Sequence, residues 1–156
     1  MSEPARPMQR DADDTGPLAK SLPSRTRSFA EILGGLTKLE AVRGGLILAP
    51  DGLVITSTLP AGFEIEALAA VGATLGRELE LGSERLGRGE LRTAVFAAAD
   101  GMILMGASLV GFLILLGDRT VDVAMVRAAL RQALSRLPGH PPSVSTMPQG
   151  GAGRGA

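Results

Sequence analysis

The fold depends on residues 91–117, which read LRTAVFAAADGMILMGASLVGFLILLG. Between Asp100 and Asp118 this stretch contains no charged side chain. Two kinds of structure can contain such an apolar run. One is a membrane span, which needs about 20 apolar residues. The other is a set of strands in a sheet that helices cover on both faces, because such strands are apolar throughout.

Turn residues inside the run favour strands. Asp100-Gly101 predicts a two-residue hairpin turn, because both central positions of such a turn need positive φ. Gly106 and Gly111 would each weaken a helix by about 1 kcal/mol relative to alanine. The flanks carry no Lys or Arg cluster and the chain has no Trp or Tyr, so the usual signals of a membrane span are missing. We therefore predict three strands, at 91–98, 102–107 and 109–116, and no membrane span.

Composition excludes several classes of function. The 156 residues predict one domain. The 16 basic and 16 acidic residues balance, so no net field attracts nucleic acid or an anionic membrane. Absence of cysteine excludes disulfides, thiolate nucleophiles and cysteine-ligated metal. The N-terminus lacks the apolar segment of a signal peptide, so a cytoplasmic location is expected.

Both ends of the chain differ in composition from its centre. Residues 1–26 hold four prolines and mixed charges, which predicts a disordered N-terminal tail. Residues 138–156 are rich in Pro, Gly and Ser, which predicts a disordered, flexible C-terminal tail. The folded domain is therefore predicted at 27–137.

Helices and a hairpin surround the predicted strands. The first helix is predicted to start at a capping box of Ser28 and Glu31. We interpret Gly34-Gly35 within it as a close approach to the sheet, with a hinge as the alternative. The turn residues 50–52 (PDG) then join strands at 46–48 and 53–58. A second helix is predicted at 63–81 and a last one at 123–137. The order is helix, two strands, helix, three strands, helix.

The second helix carries two stripes of apolar or small residues. One stripe suits packing on the sheet and comprises Ile65, Leu68, Gly72, Leu75 and Leu79. The other is small and smooth, ends at Glu78, and comprises Ala67, Ala70, Val71 and Thr74. We interpret this second stripe as a surface that meets another subunit or partner. The alternatives are a covering loop or alanines that are exposed without a role.

These residues resemble the roadblock family, the dynein-light-chain type of Ras-like GTPase regulator. The resemblance rests on GGLIL at 44–48, DGLVI at 51–55, IEALAA at 65–70, GMIL at 101–104 and the apolar strand through Leu116. It covers about residues 27–137. The glycines Gly34, Gly35, Gly72 and Gly76, and both tails, depart from the family pattern.

The resemblance implies an α/β (α+β) fold of the roadblock/profilin-like type. Its five-stranded antiparallel sheet has the first and last helices on one face and the second helix on the other. It also implies a homodimer in which the third strands, at 91–98, pair across a two-fold axis beside the two second helices. The expected interface residues are Ala67, Ala70, Val71, Thr74, Glu78, Leu91, Thr93 and Val95.

Residue types for catalysis are largely missing from the predicted domain. His140 is the only histidine and lies in the predicted C-terminal tail, so the domain can form neither a Ser-His-Asp triad nor a histidine-ligated metal site. Gly82, Gly87 and Gly89 lack the Lys-Ser/Thr pair of a phosphate loop, which favours a helix-to-strand turn. We predict no enzyme activity, no cofactor and no metal.

Four arginines follow one another near the end of the second helix: Arg77, Arg85, Arg88 and Arg92. They predict either contact with an acidic partner surface or an arginine finger that enters a GTPase active site. The alternative, which we favour, is a solvated loop with Glu84 and Glu90 as counter-charges.

The functional prediction is a homodimeric, non-enzymatic regulator or scaffold for a small Ras-like GTPase in signalling. Arg far outnumbers Lys, which occurs only at Lys20 and Lys38 and indicates a prokaryotic, GC-rich source. The alternative function is a structural interaction module that assembles a signalling complex without affecting GTP hydrolysis.

Overall fold

The computed structural model describes residues 17–137, with side chains from residue 27 onward. Its elements in chain order are α1 Pro17–Thr37, β1 Val42–Leu48, β2 Val54–Thr58, α2 Ile65–Arg85, β3 Thr93–Ala98, β4 Gly101–Ser108, β5 Gly111–Gly117 and α3 Val123–Arg136. The predicted order of helices and strands is therefore confirmed.

The apolar run forms three strands of one sheet. The sheet has five strands in the order β2-β1-β5-β4-β3, and every neighbouring pair is antiparallel. In the central strand β5, Phe112 and Ile114 face one apolar cluster, and Leu113 and Leu115 face the other. A strand buried on both faces has no polar side, which explains the continuous apolar sequence. Within residues 17–137 no helix is long and apolar enough to cross a membrane.

Helices cover the sheet on both faces, as the resemblance implies. α1 and α3 lie over one face, where the first cluster includes Leu33, Leu104 and Leu130. α2 covers the other face, where the second cluster includes Leu46 and Met105. Asp122 caps α3 by accepting a hydrogen bond from the Met125 N–H at 3.0 Å.

Glycines set how closely helices approach the sheet. A Cβ added at Gly76 would lie 2.5 Å from Cε1 of Phe112, and one at Gly106 would lie 2.6 Å from Cδ1 of Leu134. Gly72 lies in the same way against Ile114. The two glycines of α2 that depart from the family pattern are therefore packing positions: a side chain at Gly76 would meet the Phe112 ring, whereas one at Gly72 would require the end of the Ile114 side chain to move.

The start of α1 differs from the prediction. α1 begins at Pro17, so the predicted disordered tail of residues 1–26 is wrong from residue 17 onward. Ser28 lies inside the helix, so the predicted capping box is wrong as well. Pro17 occupies the first helical position, where proline loses no hydrogen bond because that N–H has no partner in a helix. Pro23 lies inside α1, where its missing N–H removes one hydrogen bond of the helix, and the position of Pro17 does not explain its presence. Residues 1–16 and 138–156 of the predicted tails lie outside the described residues.

The Gly34-Gly35 pair does not approach the sheet. A Cβ added at either glycine would meet nothing within 4 Å, so the predicted close contact is wrong. The helical spacing of the sequence could not distinguish a glycine beneath a neighbour from one beside open space.

The turn between β3 and β4 is displaced by one residue from the prediction. Ala98 pairs with Gly101, so Ala99 and Asp100 form the turn and Gly101 belongs to β4. Of the described residues other than glycine, only Ala41 has positive φ. Gly101 is required for a different reason, because a Cβ there would run into the carbonyl oxygen of Gly117.

The two kinds of helical glycine predict opposite responses to alanine. Gly35→Ala is expected to raise the free energy of unfolding by about 0.5–1 kcal/mol, because alanine restricts the unfolded chain and the site has room. Gly76→Ala is expected to lower it by about 1–3 kcal/mol, because the methyl group overlaps Phe112. Urea unfolding at one fixed protein concentration measures both. Gly82→Ala, also in α2 with nothing within 4 Å, is the control; a loss there would contradict the packing explanation.

One ion pair ties the start of the sheet to the end of β5. The Arg43 guanidinium donates to Oδ2 of Asp118, with a distance of 2.7 Å from Nε. These hydrogen bonds lower the pKa of the Asp118 carboxyl. The Asp118 N–H also donates to the Ala41 carbonyl oxygen at 2.8 Å, so backbone and side chain hold the same junction.

Asp118 predicts a loss of stability at acid pH. A carboxyl whose pKa is lower in the folded than in the unfolded chain stabilises the fold above the unfolded pKa, about 3.9. This stabilisation disappears as the pH falls through the folded pKa. Asp118→Asn is therefore expected to be less stable than the parent at neutral pH, with the difference closing in acid. Thermal unfolding across pH measures it, with Asp100→Asn, at the exposed β3–β4 turn, as the control.

Candidate functional site

One edge of the sheet is open. β3 lies at the end of the strand order and, within residues 17–137, pairs with β4 alone. Its six residues pair without a bulge, from Thr93 opposite Gly106 to Ala98 opposite Gly101. They include no charge and no proline, the residues that usually protect an edge strand from pairing with another chain.

Side chains of β3 alternate between the two helical layers. Val95 packs on the first cluster, under α1 and α3, and Ala94 packs on the second, under α2. Because successive strand residues point to opposite faces, Thr93 shares the face of Val95, and Phe96 shares that of Ala94. Phe96 is half-buried and belongs to neither cluster of described residues.

Ala94 and Phe96 are candidate interface residues that were not predicted from the sequence. The predicted residues Thr93 and Val95 lie on the face opposite to α2, and the predicted Leu91 is half-buried and precedes β3. The period-two alternation of strands could have placed Phe96 on the α2 face, once the cover of each face was known.

An exposed stripe runs along one flank of α2. Ala67, Val71, Thr74 and Glu78 are all exposed and follow the i, i+4, i+7 and i+11 spacing of a single helix face. Val71 is 64% exposed. Below the stripe, the half-buried Leu75 packs on the second cluster. The stripe is therefore continuous with the apolar side of the helix.

The opposite flank of α2 contacts the β1–β2 hairpin. A Cβ added at Gly52 would lie 3.5 Å from Cβ of Ala73, and the Arg77 guanidinium donates to the Pro50 carbonyl oxygen. The exposed stripe points neither to that hairpin nor to the sheet: on the helix it lies roughly opposite the buried residues Ala69 and Gly76. Ala70 lies near Gly52, at the border of the stripe closest to the hairpin.

The exposed stripe of α2 and the edge of β3 together form the candidate interaction surface. We call this the α2–β3 surface, and it comprises Ala67, Val71, Thr74 and Glu78 of α2 with Ala94, Phe96 and the free backbone edge of β3. No buried polar group accompanies it: the core of residues 27–137 contains no buried polar or charged side chain.

The loop after α2 has a defined structure. The Arg88 N–H donates to the Ser83 carbonyl oxygen and the Gly87 N–H to that of Glu84, both at 2.9 Å. Together with the positive φ of Gly87, 67°, these bonds form the Schellman motif that ends many helices. The prediction of a helix-to-strand turn here is therefore confirmed.

The four predicted contact arginines divide into two groups. Arg77 lies on the hairpin flank of α2, bound to Pro50. Arg85, Arg88 and Arg92 are exposed around the loop that leads to β3. None of the four arginines forms an ion pair with Glu84 or Glu90. The three arginines around the loop are therefore not neutralised by direct contact with either of these carboxylates.

Carboxylates on α2 form no arrangement suited to catalysis. Burial raises the pKa of Glu80, and the negative charge of Glu84 adds to the effect. Both line a shallow depression of about 290 Å³ with Arg77 and Leu81. Among residues 17–137 no group of three or more His, Asp or Glu side chains could hold a metal ion.

The strand order and the helices on both faces define the class: this chain has the Roadblock/LC7 fold, as its sequence predicts. A solved Roadblock/LC7 domain from Streptomyces avermitilis matches at a TM-score of 0.61 and 19% identity, over 67% of this chain and 90% of that one. MglB of Myxococcus xanthus matches at a TM-score of 0.65 and 15% identity, over 70% of this chain and 84% of that one. A structure of MglB in a tetrameric arrangement matches at a TM-score of 0.66 and 18% identity, over 73% of this chain and 88% of that one. At these identities the likeness establishes the fold.

Sequence relatives occur in Methanocaldococcus jannaschii. The uncharacterized protein MJ0310 is 27% identical over 106 residues, which are 68% of this chain and 93% of the relative. The uncharacterized protein MJ0714 is 26% identical over 106 residues, 68% of this chain and 90% of the relative. No protein-family model matches the chain.

Proposed function

We propose that this protein is a homodimer that assembles through the α2–β3 surface. A second copy would extend the sheet by antiparallel pairing of the two β3 strands across a two-fold axis, and would place the two α2 helices side by side. The observation that carries the proposal is the open, regular and uncharged edge of β3, in a domain that also exposes the small-residue stripe of α2.

The other edge of the sheet is less suited to pairing. β2 has five residues, and its register with β1 shifts between Ile47 and Leu48. Pro60 follows soon after the strand. A bulge and a nearby proline are devices that discourage pairing with another chain. The contrast between the two edges favours β3 as the interface strand.

Side chains of the α2–β3 surface suit contact between identical helices. Ala67 and Thr74 are small, so two α2 helices can approach to about 8 Å. Val71 is 64% exposed in the single chain, and burying it would remove apolar surface from water. MglB, which shares this fold, is known in a tetrameric arrangement, which supports self-association as a property that this fold permits.

We further propose that the dimer is a non-enzymatic regulator of a small Ras-like GTPase. The support is the roadblock resemblance together with a surface built for binding. The paired α2 helices would form one broad face, with Arg85 and Arg88 of each copy at its ends. A regulator shifts the nucleotide cycle of its GTPase only if it contacts the GDP and GTP forms differently.

Binding to the two nucleotide states tests this function. We expect the dimer to capture a Ras-like GTPase from its own genome more strongly with a GTP analogue than with GDP, and to change single-turnover hydrolysis. Equal capture of both forms with unchanged hydrolysis would favour the alternative function, a structural module.

Arg88→Ala distinguishes two mechanisms within that assay. A rim contact would weaken binding by about fivefold or less, and this is the result we expect. An arginine finger would reduce stimulated hydrolysis by about 10³- to 10⁵-fold with binding nearly intact. Arg127→Ala is the matched control, because Arg127 is also an exposed arginine but lies on α3, in the opposite helical layer.

A further inference from the structure

Three loops meet at one end of the sheet. The β1–β2 hairpin lies beside the β4–β5 turn, because Leu48, the last residue of β1, pairs with Phe112 near the start of β5. The loop from α2 to β3 ends next to the same turn, since the Ala107 N–H donates to the Arg92 carbonyl oxygen at 3.0 Å. We call this region the loop end of the domain, and it comprises residues 49–53, 84–92 and 108–110.

The three most exposed large apolar side chains of residues 27–137 all lie at the loop end. Leu86 is 77% exposed, Leu109 72% and Leu53 69%, and each belongs to a different loop. Neighbouring strands lie about 4.8 Å apart, so the hairpin tips that carry Leu53 and Leu109 are separated by roughly 10 Å. Single exposed leucines are common, but three on neighbouring loops that also carry polar residues are typical of an interaction surface.

Hydrogen bonds fix the backbone at two of these leucines. The Leu86 N–H donates to the Gly82 carbonyl oxygen at 3.0 Å, at the end of α2. The Leu53 N–H donates to Oδ1 of Asp51 at 3.1 Å, within the β1–β2 hairpin. Loops that are already ordered lose less conformational entropy when they bind a partner.

Charged side chains of both signs surround the leucines. There are three basic and three acidic groups, and all six are exposed. They are Arg85, Arg88, Arg92, Asp51, Glu84 and Glu90. Within residues 27–137, no ion pair joins any of these groups to another side chain. A balanced surface has no net attraction for an anionic membrane or an acidic protein, but its arginines can pair with the carboxylates of a second copy.

We propose that the loop end is a second self-association surface, where two copies meet with leucines against leucines and arginines against carboxylates. The contact is isologous, because both copies use the same surface. Its consequence for assembly rests on the proposed dimer, in which antiparallel β3 strands place the two loop ends at opposite ends of the molecule. Loop-end contacts then join dimers end to end into an open chain.

The contact is expected to be weak, because it is confined to three loops and belongs with interfaces that bury less than about 1,200 Å². Chain growth should therefore occur only at high protein concentration. The contact also covers Arg85 and Arg88, which lie at the ends of the proposed GTPase-binding face. A bound GTPase and a neighbouring dimer would therefore exclude each other.

Sedimentation of the full chain, from micromolar to millimolar concentration, tests the contact. We expect the average mass to rise beyond that of the dimer as the concentration increases. Leu86→Asp should raise the dissociation constant of this step by about 10-fold or more, because a charge replaces an apolar anchor. Phe63→Asp is the matched control: Phe63 is 48% exposed but lies between β2 and α2, at the other end of the sheet, so its variant should assemble like the parent.

Exchange of charges tests whether two loop ends pair with each other. Arg85→Glu with Arg88→Glu makes the loop end acidic, and Glu84→Arg with Glu90→Arg makes it basic. Each double variant alone should stop at the dimer, because like charges repel across the contact. An equimolar mixture of the two should assemble further than either variant alone.

Three results would overturn the proposal: a parent that stays dimeric at millimolar concentration, equal assembly of Leu86→Asp and the parent, or a mixture of the charge variants that is no larger than its components. Val71→Asp separates these failures from failure of the proposed dimer. This variant removes the α2–β3 contact, so at the highest concentrations it should form a dimer through the loop end alone. Adding Leu86→Asp should then leave a monomer.

Discussion

Gly111→Ala is expected to lower the free energy of unfolding by about 3 kcal/mol or more, and Tm by roughly 12 °C. Gly111 opens β5 with a φ of 133°, a conformation that alanine adopts only with strain. A Cβ there would overlap the Leu48 carbonyl oxygen and lie 2.8 Å from Cα of Ala49. Both neighbours are backbone atoms beside the central β1–β5 pair, so neither can move without disturbing the sheet.

Gly62→Ala is the matched control for this loss. Gly62 also has positive φ, 100°, but a Cβ there would meet nothing within 4 Å. Gly62→Ala should therefore lower the free energy of unfolding by the backbone strain alone, about 1–3 kcal/mol, because it causes no steric overlap. Thermal and urea unfolding of both variants, followed by circular dichroism, separates the two contributions. Equal losses would show that the overlap at Gly111 has no effect.

Val71→Asp is expected to convert the dimer into a monomer, with the dissociation constant raised by about 100-fold or more. In the proposed dimer the two-fold axis would bring both copies of residue 71 into one interface, where two desolvated like charges would cost several kcal/mol. Residue 71 is 64% exposed in the single chain, so the protomer itself should fold as before. Light scattering coupled to size exclusion, over a range of micromolar concentrations, measures the change.

Leu53→Asp is the control for the dimer. Leu53 is 69% exposed, as much as Val71, but lies next to β2 at the opposite edge of the sheet. We expect this variant to remain dimeric. A parent protein that is monomeric at micromolar concentration, or equal dissociation of both variants, would contradict the proposed interface.

Several elements could be predicted from sequence because their signals are local. The run from 91 to 117 has strand-sized apolar segments between breaks, and it forms β3, β4 and β5. The hairpin at 50–52 has turn residues with defined conformations. The stripe with Ala67, Val71 and Thr74 follows the helical period, and all three residues are exposed. In each case the decisive information lies within one element.

Other features depend on which atoms of another helix or strand lie next to a residue. A local sequence pattern does not carry that information. Gly35 and Gly76 are both helical glycines, yet one borders open space and the other the Phe112 ring. Gly101 was predicted as a turn residue, but the Gly117 carbonyl beside it explains why it is glycine.

The sequence by itself determined the order of elements, the apolar strands and the two stripes of α2, because spacing and turn chemistry act over a few residues. Only the tertiary structure decided which sheet edge is open and that Phe96 lies on the α2 face. Those properties arise when strands distant in sequence become neighbours and the two helical layers cover the sheet unequally. They are relations between elements, and each exists only once the chain has folded.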